Sequence, residues 1–212
     1  MTLKQTLSMD SIKNTKILVG ITSTPTSWLE LTSIQRHHPL SRYFISRVEL
    51  APLSETELQD TILKSLAGTG VSFNPDVIAK VYKYTKGHPF EMQVLCSHLF
   101  NNQVSQRVDV AMWDKSLQTT LNDMGVAIFD YWYSLASEEE AKVLRVIAEV
   151  ETSVSTKQIH DLAVGGTVKV SPPNIAKYLQ RLVEKKLINK SGRGSYSIQD
   201  RMFRAYVCTR PD

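Results

Sequence analysis

Cysteine is nearly absent from this chain. Its 212 residues include only Cys96 and Cys208, far apart in sequence. That excludes a disulfide framework and any cysteine-based metal motif, and two free thiols in a reducing compartment are expected. The five histidines, the adjacent His37 and His38 among them, show no metal-ligand spacing, so no metal site is predicted. No run approaches the ~18 uninterrupted apolar residues of a membrane helix. The opening "MTLKQTLSMDSIKNTK" has no apolar signal core, which makes the cytoplasm the expected compartment and leaves no role for a membrane. Neither G-x-x-x-x-G-K-[ST] nor G-x-G-x-x-G occurs, so no loop of the usual kind can cradle phosphates.

What is present suits an ordinary globular protein, with 42 % hydrophobic and 22 % charged residues. The net charge of +4 is uneven. Residues 1–133 hold 12 Lys/Arg against 12 Asp/Glu, whereas 134–212 hold 13 against 9. The whole excess lies in the last third, as expected of a surface that meets an anionic partner.

"KILVGI" (16–21), followed by the polar "TSTPTS", reads as a buried strand opening into a loop. "ISRVEL" (45–50) is a second strand candidate, with a helix possible over 27–36 between them. After Pro52 the pattern turns helical. "SETE" (54–57) is a capping box, followed by Leu58, Ile62 and Leu66 at helical spacing. Asn74 and Pro75 start a second helix with Val77, Ile78, Val81 and Tyr82 inward. Gly87 suits the left-handed position that ends it. Pro89 opens a third helix, predicted to bury Phe90, Val94, Leu95 and Leu99. Two more helices are predicted, over about 109–122 and 124–135, and no strands are expected in this block. "VAIFD" (126–130) reads as core helix and not as a metal-binding acid after a strand.

From about Leu135 three helices are expected, each with a start signal: Ser137 before "EEEAKVLRVIAEV", a Ser155/Gln158 capping box, and Ser171 with Pro172. Two short strands around "SGRG" follow, a hairpin signal. Helix, helix, helix, hairpin is the order of a winged helix-turn-helix. "GRGS" (192–195) therefore reads as the wing turn, and "DRMFRAYV" (200–207) as a closing helix with Met202, Phe203 and Tyr206 inside. Residues 172–186 would be the recognition helix, with Asn174, Lys177, Tyr178, Gln180 and Arg181 outward and Lys185 and Lys186 at its end. Such side chains can reach base edges in a major groove, while Lys190 and Arg193 at the wing tip can meet phosphates. Winged helices also dock proteins. Double-stranded DNA and a protein partner both stay open, and a non-catalytic winged-helix DNA-binding regulator is the alternative function.

Taken in order, "ILVGITST", "HPLSRYFISRVELAPLS", "YTKGHPFEMQVLC" and the winged-helix segment resemble the C-terminal two-thirds of AAA+/STAND-type P-loop ATPases. Within that class the chain resembles the archaeal-type ATPase group and, more distantly, the origin-recognition ATPases. The resemblance covers about residues 12–208. It implies a mostly α fold with minor β: a remnant of a P-loop α/β core over 1–52, a helical lid over 53–134 and a winged helix over 135–212. It places Thr22 or, preferably, Ser23 at the sensor-1 position, and Arg42 at the family's arginine. Gly87, His88 and Pro89 fall on the Gly-x-Pro motif of the lid, where the proline packs near adenine. The family's cofactor is ATP or ADP with magnesium. Its Walker A loop and Walker B acids would precede residue 1, so the chain resembles a fragment whose ATPase core is a missing partner in cis. Alone it is expected to hold a triphosphate with magnesium poorly, retaining no cofactor firmly, and to show no ATPase activity.

Overall fold

The computed structural model describes residues 51–165, 174–192 and 194–210, together with Thr22, Val48 and Leu50. The chain divides into two units, 1–51 and 52–212. In the first, Thr22 is exposed and irregular. Val48 and Leu50, from the predicted strand 45–50, also have irregular backbone and are 84 % and 88 % exposed. The strand 16–21 and the helix 27–36 lie outside the described residues.

The described part of the second unit is mostly helical with a few short strands. Helix α1 (Glu55–Leu66) starts at the predicted capping box: Glu57 N–H donates to Ser54 Oγ at 3.3 Å, and Ser54 N–H donates to Glu57 Oε2 at 2.8 Å. It buries Leu58 and Ile62. Helix α2 (Pro75–Thr85) is capped by Asn74, whose Oδ1 accepts from Asp76 N–H at 2.9 Å, and it buries Val77, Ile78 and Val81. Helix α3 spans Pro89–Asn101. Strand β1 (Ser72–Phe73) pairs in parallel with β2 (Arg107–Val108), which corrects the expectation of a strand-free block. Two-residue strands are too short to show an alternating pattern in sequence.

The two helices predicted over 109–135 are continuous. Helix α4 (Trp113–Met124) passes through a π-helical turn (Gly125–Phe129) into α5 (Asp130–Ser134). Trp113 packs in one apolar cluster with Leu58, Val81, Leu95 and Leu99, while Leu121, Met124 and Phe129 belong to a second. Tyr84 and Leu117 pack against both clusters, so the two cores meet there. Burying a side chain of the size of Phe129 contributes about 1.5–3 kcal/mol.

The second cluster is closed by α6 (Glu138–Ala148), α7 (Thr156–Gly165), α8 (Ile175–Glu184) and α9 (Arg201–Cys208). Strands β3 (Val154–Ser155), β4 (Asn189–Ser191) and β5 (Ser195–Ser197) form an antiparallel sheet in the order β3-β5-β4. Tyr196 pairs with Lys190 on one side and Val154 on the other. The hairpin is as expected, and β3 is an addition. Ser171 and Pro172 lie outside the described residues, and α8 begins with Asn174 at its cap position. Helix α9 buries Met202, Phe203, Tyr206 and Val207, and it packs on α2, α4 and the π turn as well as on α6.

Candidate functional site

The Gly-His-Pro corner is built by two consecutive left-handed residues. Lys86 closes α2 at φ 50° and Gly87 follows at φ 79°. Leu53 N–H donates to the Gly87 carbonyl at 2.9 Å. A Cβ on Gly87 would stand 1.9 Å from the Leu53 carbonyl oxygen, so only glycine admits this approach. His88 is the cap of α3: its Nδ1 accepts from Glu91 N–H at 3.5 Å, and Pro89 takes the first helical position. His88, Pro89 and Phe90 are exposed. Phe90, predicted inward, is 44 % exposed, and Met92 takes the buried place instead. An apolar tip formed by the Pro89 and Phe90 rings thus faces solvent.

On its other side the corner borders a cleft of about 290 Å³, lined by Lys86, His88 and Glu91 and, across from them, Lys186, Asp200 and Arg201. Trp132 and Phe203 contribute apolar wall. Pro89 is not in this lining.

Glu91 is the site residue that sequence reasoning missed. It is only 4 % exposed, and its carboxyl is pushed up to about 9 by burial, then by the charge of Asp200 and a hydrogen bond with it. The signal was present in sequence: Glu91, Leu95 and Leu99 recur at i, i+4 and i+8, which places an acid on the buried stripe. Cys96 and Cys208 are free thiols, as expected; burial pushes Cys96 up to about 12.

The predicted recognition helix is α8. Asn174, Lys177, Gln180 and Arg181 are exposed along it, whereas Tyr178 is half-buried against the core. Several polar groups already have partners. Arg181 Nη1 lies 3.6 Å from Glu140 Oε1, Lys185 Nζ lies 2.5 Å from Glu140 Oε2, and Gln180 donates to Glu184 at 2.9 Å. Glu140 is 1 % exposed and completes the capping box of α6, with Ser137 N–H donating to its Oε2 at 2.8 Å. Burial alone would raise this carboxyl, but hydrogen bonds from Lys185 and Ser137 outweigh it and hold the group below the usual carboxylate range. Lys190 is exposed on β4, and Arg193 lies outside the described residues. So do Ser23 and Arg42, while Thr22 is exposed. Among the described residues no group of three or more His, Cys, Asp or Glu could hold a metal ion, and no helix is long and apolar enough to cross a membrane.

No protein-family model matches the chain, and no curated protein matches it. Among solved structures it is similar to the Walker-type ATPase of Pyrococcus abyssi, with a TM-score of 0.54 and 17 % sequence identity. The match covers 85 % of this chain and 49 % of that one, so this chain spans about half the length of the ATPase. At such identity the likeness is one of fold.

Proposed function

We propose that this chain is the nucleotide-sensing lid and C-terminal module of a Walker-type ATP-binding protein of the AAA+/STAND kind, with residues 135–212 forming a winged helix. The observation that carries it is the corner at 87–89. Gly87 is fixed against Leu53 while Pro89 and Phe90 present two apolar rings to solvent, in a chain whose fold is like that of a Walker-type ATPase. Such rings suit the face of an adenine, and Gly87 and His88 frame them. ATP or ADP with magnesium is the cofactor class. Thr22 or Ser23 would read the γ-phosphate, and Arg42 would spread phosphate charge through its fork of donors. With no Walker A loop in these residues, the chain's part is base contact and reporting, not phosphoryl transfer.

The nucleotide would act by contacting one lid position better than another. Because α9 packs on both the helical block and the C-terminal module, a moving lid carries the module with it. Titration with a fluorescent adenine nucleotide tests this. Binding competed by ADP and weakened severalfold by Pro89→Ala or Phe90→Ala is expected, and indifference to both substitutions overturns it.

For the module, the pairing of Arg181 and Lys185 with buried Glu140 favours a protein contact, in cis or with a partner, over duplex DNA. Duplex contact would rest mainly on Asn174, Lys177 and Lys190.

A further inference from the structure

Two carboxyl groups from different cores meet in the cleft beside the corner. Glu91 belongs to the first turn of α3, the helix that gives Met92, Leu95 and Leu99 to one apolar cluster. Asp200 is the cap of α9, its Oδ1 accepting from Phe203 N–H at 2.8 Å, and Phe203 belongs to the other cluster. Both line the cleft, and the Glu91 carboxyl hydrogen-bonds Asp200. Two adjoining carboxyls, one of them only 4 % exposed, do not both ionise readily, because like charges in a poorly solvated place repel.

We propose that Glu91 and Asp200 form a proton-sharing latch that ties the helical block to the C-terminal module, tight when the pair holds its proton and progressively loosened as that proton is lost to solvent base. With the proton in place, Glu91 donates to the Asp200 carboxylate and the contact is attractive. Without it the same contact is repulsive and buries an uncompensated charge. The other charged and titratable groups that line the cleft with the pair are Lys86, His88, Lys186 and Arg201. Even beside them, Glu91 is raised from 4.5 to about 9.

The sign follows from linkage. The closed latch holds its proton up to about 9, whereas an open, solvated Glu91 loses it near 4.5. Opening therefore becomes easier by about tenfold per pH unit between those values and levels off above them. Acidification tightens the latch. The device is independent of whether the corner binds a nucleotide.

Hydrogen exchange of the whole chain at several pH values, each rate divided by its intrinsic rate, reads the latch directly. Protection of the 88–92 and 200–204 amides is expected to fall about tenfold per unit from pH 6 to 8.5, while α1 changes little. In Glu91→Gln, whose amide donates to Asp200 at every pH, the fall disappears. No fall in the unsubstituted chain, a fall spread equally over all helices, or the same fall in Glu91→Gln overturns the latch. Should Glu91→Gln not fold, carboxyl carbon titration of the unsubstituted chain decides: a Glu91 midpoint in the ordinary carboxylate range sinks it, and one near 9 supports it.

Discussion

Leu53 and Gly87 face each other backbone to backbone, with the Leu53 N–H bonded to the Gly87 carbonyl at 2.9 Å and no room between them for a methyl group. Gly87→Ala meets both a left-handed φ of 79° and a Cβ-to-oxygen distance of 1.9 Å. It is expected to cost about 3 kcal/mol. Lys86, also left-handed but without such a clash, is the control: Lys86→Gly is expected to be neutral or to stabilise by about 1 kcal/mol. Urea unfolding of the two variants checks the contrast, and equal effects would remove the close approach as the reason for the glycine.

A second close approach lies at the π turn. A Cβ on Gly125 would stand 2.9 Å from Tyr206 Cε2. The Tyr206 ring has little freedom to retreat, because its hydroxyl donates to Asp130 and Arg210 lies over its face at 4.4 Å. Gly125→Ala is therefore expected to destabilise by about 1–3 kcal/mol. The same substitution with Tyr206→Leu should recover part of that loss, which thermal unfolding of the double-mutant cycle measures.

Glu140 predicts both a pH effect and a binding effect. Its carboxyl is held below the ordinary value in the folded chain, so its contribution is present above about pH 4.5 and is lost as pH falls through the lowered value. Glu140→Gln should cost roughly 1–2 kcal/mol near neutral pH, since the Lys185 and Arg181 side chains are 34 % and 47 % exposed and their attraction is screened by water. The substitution also releases those two cations. Any duplex binding should become more salt-dependent, the slope of log affinity against log salt steepening by up to about 2. An unchanged slope would show that neither cation reaches a phosphate.

The helix starts were legible because capping is local: Ser54 with Glu57, Asn74 with Pro75, and Ser155 with Gln158 satisfy backbone groups within one turn. The hairpin around 189–197 was legible for the same reason. What sequence concealed depends on distant residues. Phe90 follows a proline on a helix whose buried stripe runs through Glu91, Met92 and Leu95, so the aromatic ring is turned out and the acid in. Gly125, where the two predicted helices merge, lies against Tyr206, eighty-one positions away in sequence. The partners of Arg181 and Lys185 come from the cap of α6, so cations that looked free for an anionic ligand are engaged within the fold. Glu91 could have been singled out, since an acid on an apolar stripe asks for a partner.

The most direct test of the nucleotide-sensing corner is photo-crosslinking with 2-azido-ADP followed by peptide mapping. Label is expected on the stretch from Gly87 to Glu91, protected by excess ADP and reduced in Pro89→Ala. Label spread over other segments, or on this stretch but unprotected by ADP, would contradict a base seated at that turn.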